Sequence, residues 1–244
     1  MSTYWTAIDI LTQVAGELGL PQPNTITGLS DVQSIQLLAL LNSAGNEMLN
    51  YYPWEQFVKE WEFQTVIDQA DYDLPDDYAY FRDMTQWDRT NHWPLLGPKT
   101  PQEWAFLKGS LVAALPRLRY RIADNKFKIY PTPTVGSSPN EYTLALEYIS
   151  KNWVDSSGTP NSMIIANGDV VMYNPWLMIK FVKFKFYELK GLSTTGVQAD
   201  FMRIFNALTG KDTGARVLSL APQVTNQYIG PWSIPDGSWN VYGV

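Results

Sequence analysis

Few residues in this 244-residue chain are of types that carry out chemistry, and they are sparsely placed. There is no cysteine, which excludes disulfides, thiolate metal sites, iron–sulfur clusters and thiol nucleophiles. A single histidine, His92, excludes a multi-histidine metal centre within one chain. It sits in Arg89-Thr90-Asn91-His92-Trp93-Pro94 and would act as a general base only if the fold brought a serine and an acid to it. No G-x-S-x-G elbow occurs, and a loop or strand-end histidine is the favoured reading. The densest acidic group is Asp68, Asp71, Asp73, Asp76, Asp77 and Asp83. Glycoside hydrolysis would need two of these facing one cleft. The stretch fails as a calcium loop, because Pro75 falls on a ligand position and the glycine is missing. Turn formation and solvated charge are favoured for it. Gly210-Lys211 lacks the preceding glycine of a P-loop, and no G-x-G-x-x-G occurs. The sequence therefore assigns no catalytic, cofactor-binding or metal-binding residue.

Composition narrows the partners. Eighteen basic against 24 acidic residues give a net charge of -6, which argues against tight wrapping of nucleic acid. No apolar run approaches the roughly 20 residues needed to span a bilayer, and Met1-Ser2-Thr3-Tyr4-Trp5 is not expected to open a signal peptide. Aromatic residues make up 14% of the chain, with ten Trp and fourteen Tyr. Such a load is buried, presented to a partner, or stacked on a ligand. A carbohydrate- or receptor-binding module is one reading, but the aromatics spread over the whole chain, which favours core and subunit interfaces.

The elements that would position these residues follow from periodicity. Residues 4–14 carry apolar positions at helical spacing, and Gly19 with Pro21 and Pro23 ends that helix. Ser30 or Asp31 caps a second helix in which Val32, Ile35, Leu38, Leu41, Met48 and Leu49 recur at steps of three and four until Pro53. Together they read as an αα-hairpin. From Trp54 the period becomes two: residues 58–67, 117–122, 126–130 and 142–149 alternate as strands, with a hairpin at Asp124-Asn125 and a turn over 72–77. Thr100-Pro101 opens a short helix over 101–107. Residues 154–171 read equally as a strand pair or a loop. Asn174-Pro175 caps a helix over 176–187 whose apolar side chains surround its axis, so it needs neighbours on several sides. Trp176, Phe181, Phe184 and Phe186 on it are read as a subunit interface. Lys180, Lys183 and Lys190 share one stripe, read either as a solvated face or as a channel or interface stripe that meets DNA phosphates without sequence preference. A last helix runs from about 194 to 208. Beyond Gly210 the chain is aperiodic yet bears Tyr228, Ile229, Trp232, Ile234, Trp239 and Tyr242, unlike a disordered tail.

The order of these pieces predicts an α+β fold: a helical bundle from 1–53 and 172–212, an inserted antiparallel β-domain over 54–171, and an extended C-terminal arm over 213–244.

Several segments also occur in a familiar order. Leu37-Leu38-Ala39-Leu40-Leu41-Asn42-Ser43-Ala44-Gly45-Asn46-Glu47 leads through Tyr51-Tyr52-Pro53-Trp54 into a strand. Tyr72-Asp73-Leu74-Pro75-Asp76-Asp77-Tyr78, Leu96-Gly97-Pro98-Lys99-Thr100-Pro101-Gln102-Glu103-Trp104, Tyr120-Arg121-Ile122, Ile129-Tyr130-Pro131-Thr132-Pro133 and Tyr148-Ile149-Ser150-Lys151-Asn152-Trp153 follow. Each is weakly specific alone, but as a series from about 10 to 220 they resemble the head-to-tail adaptor (connector) proteins of tailed, especially short-tailed, bacteriophages. The resemblance implies a non-enzymatic virion protein, made in the host cytoplasm, that forms a dodecameric ring between the portal and the tail tube or nozzle. It implies no cofactor, only transient contact with passing DNA, and no membrane partner. It also makes the segment from 213 a portal-docking arm, anchored by the six apolar residues named above.

Overall fold

The structure, a computed structural model, describes residues 4–109, 117–135 and 141–212. In chain order these form β1 (Trp5–Thr6), α1 (Ala7–Leu18), α2 (Val32–Tyr51), a 3-10 turn (Glu55–Phe57), β2 (Val58–Gln64), β3 (Asp71–Asp73), β4 (Tyr78–Phe81), β5 (Trp87–Asp88), β6 (Trp93–Pro94) and α3 (Pro101–Gly109). Then follow β7 (Arg119–Ala123), β8 (Lys126–Tyr130), β9 (Thr143–Ser150), β10 (Val154–Ser156), β11 (Thr159–Asn161), β12 (Val170–Val171), α4 (Pro175–Leu189) and α5 (Thr195–Asp212). Five helices and three antiparallel sheets make the described chain α+β, as the sequence predicts. The expected arm, 213–244, lies outside the described residues. The described residues divide into two compact units, 4–58 with 149–212, and 59–148.

In the first unit α1, α2 and α4 each start where a side chain can satisfy open N–H groups. The Thr6 hydroxyl accepts from Asp9 N at 3.3 Å, the Asp31 carboxylate from Ser34 N at 2.9 Å, and Asn174 Oδ1 from Trp176 N at 3.0 Å. Thr6 explains why α1 begins three residues later than its apolar spacing suggests: Trp5–Thr6 pair antiparallel with Val170–Val171. Gly19 closes α1 at φ 68°, a left-handed conformation that glycine adopts without cost. α4 packs against α1, α2 and α5, and its Leu177, Met178, Ile179, Phe181 and Val182 are buried. The neighbours demanded by an all-round apolar helix thus come from the same chain. α5 continues to Asp212, beyond its last periodic apolar residue, and the Asp212 carboxylate accepts from Glu55 N at 3.1 Å.

The ambiguous stretch 154–171 is a strand pair followed by a loop. β10 pairs β11 across Ser157-Gly158, both at positive φ, and β12 joins β10 to β1. These strands lie in the first unit, although the sequence groups them with the β-rich part. The loop is fixed by Asp169, whose buried carboxylate accepts from Ser156 Oγ (2.6 Å), Ile165 N (2.6 Å) and Ala166 N (2.8 Å).

An aromatic cluster closes this unit. Trp153 is fully buried and donates Nε1–H to Asn46 Oδ1 at 3.0 Å, while the Tyr173 hydroxyl donates to the Gly45 carbonyl at 3.1 Å. The Tyr173 ring meets Phe57 at 4.9 Å and Trp153 at 6.0 Å. At Gly45 of α2 a Cβ would overlap the Trp153 indole unless the ring or the helix shifted.

The second unit is built on short strands. β7 and β8 form the expected hairpin, with Asp124 and Asn125 at φ 57° and 56°, the geometry of a two-residue type I′ turn. β3 completes that sheet. Here the predicted turn over 72–77 is shortened. Tyr72 and Asp73 are strand residues, opposite Phe127 and Lys126, because burial of the Tyr72 ring against Phe63 at 4.8 Å outweighs the local turn preference. The turn itself remains at Pro75, whose carbonyl accepts from Tyr78 N at 2.9 Å. A second sheet is ordered β2-β9-β5-β6, with β4 also pairing β9. The core centres on fully buried Phe127, ringed by Tyr120 (5.1 Å), Trp61 (5.8 Å), Phe81 (5.8 Å) and Phe63 (6.1 Å). Each such pair contributes about 0.5–1.5 kcal/mol beyond simple area burial.

The contact at Gly45 is testable. Gly45→Ala is expected to destabilise the protein by about 1–3 kcal/mol through overpacking against Trp153. Gly210→Ala in α5, where the added methyl meets nothing within 4 Å, is expected to leave stability unchanged or raise it. Denaturant unfolding of the two variants beside wild type measures both.

Candidate interaction surfaces

α4 carries both groups of residues singled out in the middle of the chain, and the structure treats them unequally. Phe181 is buried and stacks on Phe201 of α5 at 4.6 Å, Phe184 stacks on the same ring at 6.3 Å, and Phe186 is buried. These three rings are engaged within the chain. Trp176 is 47% exposed at the start of α4, with Trp5 beside it at 5.7 Å.

The lysines are engaged as well. Lys180 and Lys183 both donate to Glu17 Oε2 on α1, at 2.9 and 3.2 Å. Lys190, the C-terminal cap of α4, lies 5.3 Å from the centre of the Phe186 ring. A fourth, Lys185, reaches Glu47 and the Ser43 hydroxyl on α2 and passes over the Phe181 ring. Burial pushes the Glu17 carboxyl up, but the hydrogen bonds from Lys180 and Lys183 outweigh it and hold the group below its ordinary range. Glu17, Glu47 and Lys185 escape a search for motifs. The signal that finds them is charge segregation: residues 1–58 contain five acidic side chains and no lysine or arginine, while α4 contains three lysines.

One end of this unit holds a cleft of about 270 Å³ lined by Tyr4, Trp54, Gln56, Asn174, Leu208 and Asp212, among others. The Tyr4 hydroxyl donates to Gln56 Oε1 across part of it at 3.2 Å. The described chain ends here, at Asp212. The expected arm anchors Tyr228, Ile229, Trp232, Ile234, Trp239 and Tyr242 lie outside the described residues.

In the second unit the acidic cluster is used pairwise. Asp77 pairs with Lys59 at 2.6 Å and accepts from the Tyr148 hydroxyl at 2.8 Å; Asp71 pairs with Lys128 and Asp73 with Lys126, each at 3.3 Å. Burial, then the bond to Asp77, pushes the Tyr148 hydroxyl well above its ordinary range. His92 is an exposed residue at φ 58° in the loop between β5 and β6. That loop is held by buried Asp88, which accepts from Thr90 N (2.9 Å), Asn91 N (3.1 Å) and Asn91 Nδ2 (2.8 Å). α3 opens with a reciprocal cap between Thr100 and Glu103 and exposes Phe106 beside a groove of about 350 Å³. Among the described residues no group of three or more acidic or histidine side chains converges as metal ligands, and no helix is long and apolar enough to cross a membrane.

The chain belongs to the SU10 adaptor protein family, which it matches over residues 5–225, a span that takes in every described element. By that membership it is a bacteriophage adaptor, the class of structural protein that its sequence resembles. No curated protein matches the sequence significantly.

Glu17 supplies the test of the helix-bundle electrostatics. Because its folded-state pKa is depressed, its contribution is present above the unfolded value of about 4.5 and is lost as pH falls through the lower folded value. Glu17→Gln is expected to cost on the order of 1–3 kcal/mol at pH 7, since both lysines lose a charge-assisted partner. Its cost relative to wild type should shrink on acidification below pH 4.5. Urea unfolding of both proteins between pH 3 and 7 reads this out.

Proposed function

We propose that this protein is a structural virion component that assembles as a ring, a dodecamer by the resemblance, joining the portal to the tail tube or nozzle. The ring gives a conduit through which DNA is retained and ejected. Family membership over 5–225 carries this reading, because the match spans both units rather than one portable domain. The net charge of -6 supports it: an acidic wall lets DNA pass without adhering. The pairing of Lys180 and Lys183 with Glu17 agrees, since it reduces the positive charge available to phosphates. In this reading contact with DNA is transient and non-specific, and the protein performs no reaction.

The portal partner falls to the C-terminal segment. The family match stops at 225, so Tyr228, Ile229, Trp232, Ile234, Trp239 and Tyr242 all lie beyond it. Their docking role rests on aromatic content without periodicity, which suits insertion into a partner's grooves.

Light scattering of the protein alone and with its portal tests the assembly. The expected result is a closed oligomer in at least one of the two; a monomer in both overturns the reading. Removal of residues 222–244 is expected to abolish portal binding while a cooperative thermal melt shows the rest of the chain still folded. Undiminished binding would remove the docking role from this segment.

A further inference from the structure

Asn167 and Gly168 occupy the two central positions of a turn closed by Asp169 N, which donates to the Ala166 carbonyl at 3.2 Å. Both are exposed. Asn167 is the only asparagine in the sequence followed by glycine; every other one precedes a residue that carries a side chain. The pairing has a chemical consequence. An asparagine carboxamide is open to attack by the backbone nitrogen of the next residue, and a side chain on that residue obstructs the approach. Gly168 has none, and a Cβ built there meets nothing within 4 Å. The Asn167 side chain is also a tie between this turn and the connection from α1 to α2. Its Oδ1 accepts from the backbone N–H of Ile26, a buried residue. The Thr25 hydroxyl meets both ends of the carboxamide, Oδ1 at 3.2 Å and Nδ2 at 3.1 Å. While these bonds hold, the carboxamide is not free to swing toward the Gly168 nitrogen. Local opening of an exposed loop, which costs far less than global unfolding, releases it.

We infer that Asn167 is a site of spontaneous deamidation, restrained by its hydrogen bonds to Thr25 and Ile26. The Gly168 nitrogen gives its proton to solvent and forms a bond to Asn167 Cγ. The carboxamide nitrogen takes up a proton and leaves as ammonia, which closes a five-membered imide. Water, the only co-reactant, then adds to one of the two imide carbonyls and the C–N bond there breaks. Breakage at the former side-chain carbonyl leaves aspartate. Breakage at the main-chain carbonyl leaves isoaspartate, whose backbone runs through the former side chain. Either product replaces the N–H donor to Thr25 with a carboxylate, two positions from the buried Asp169 carboxylate. The isoaspartyl product also adds one carbon to the chain between the Ala166 carbonyl and Asp169 N, which works against the closure of the turn. The reaction therefore loosens the hold of the turn on the α1–α2 connection.

Peptide mapping by mass spectrometry tests this on the full-length protein, aged at physiological temperature in mildly alkaline buffer. The expected result is conversion at Asn167 ahead of every other asparagine, with the aspartyl and isoaspartyl peptides separated by chromatography. Gly168→Ala is expected to fold as wild type does, because Gly168 is not in the left-handed region and the added methyl has room. It should convert severalfold more slowly. Thr25→Val removes the hydroxyl from the carboxamide and should convert severalfold faster than wild type. Wild type unfolded in guanidinium chloride should also convert severalfold faster than the native protein, which measures the restraint even where Thr25→Val fails to fold. An intact Asn167 in the aged native protein, or another asparagine that converts first, overturns the site. Equal rates in native and unfolded wild type overturn the restraint.

Discussion

The helical unit depends on one constraint, the apolar circumference of α4. Its buried Leu177, Met178, Ile179, Phe181, Val182 and Phe186 point to several sides, so no single partner can cover them. At about 1.5–3 kcal/mol for each large side chain removed from water, leaving one side open is costly. α1, α2 and α5 therefore close around α4. Enclosure draws the lysines of α4 into partly buried positions, where an unpaired cation is expensive. Glu17 on α1 and Glu47 on α2 meet them. The acidic bias of the first 58 residues and the basic character of α4 are thus two sides of one packing solution.

The β-rich unit solves a different problem. Its strands are between two and eight residues long, too short for sheet hydrogen bonds alone to specify a register. Phe127 and the rings around it supply the missing specificity, because an aromatic ring fits one neighbour arrangement far better than a register shifted by one residue. This also explains why Tyr72 joins a strand. Its ring packs against Phe63, while its hydroxyl donates to the Gln69 carbonyl at 2.9 Å.

For a bacteriophage adaptor, the engaged residues are as informative as the exposed ones. The Phe181 and Phe184 rings of α4 pack inside the helical unit, and Asp71, Asp73 and Asp77 pair with lysines of the β-rich unit. Among the groups exposed on the helical unit are Trp176 beside Trp5, the cleft at the end of α5, and Val32 and Ile35 on α2. Neutral and aromatic surfaces of this kind suit assembly with protein, while the overall negative charge suits the proposed passage of DNA.

The sequence alone determined the five helices, the strands β2, β7, β8 and β9, a cap at Ser30 or Asp31, the caps at Thr100 and Asn174, and the tight turn at Asp124-Asn125. These are local, set by the hydrogen bonds and backbone angles of a few adjacent residues. It also determined that α4 needs neighbours, since that follows from the composition of one helix, and the ordered segments from Leu37 to Trp153 carried the family resemblance. Tertiary structure alone decided which neighbours those are, and that Lys180 and Lys183 share Glu17, 163 and 166 residues away. It decided that Trp5–Thr6 leave α1 to pair with β12, and that the Asn42 side chain accepts from Ile164 N, 122 residues away. The physical reason is the same in each case: a lysine or an asparagine has many equivalent partners in sequence. Only burial, which makes an unpaired polar group costly, selects one of them.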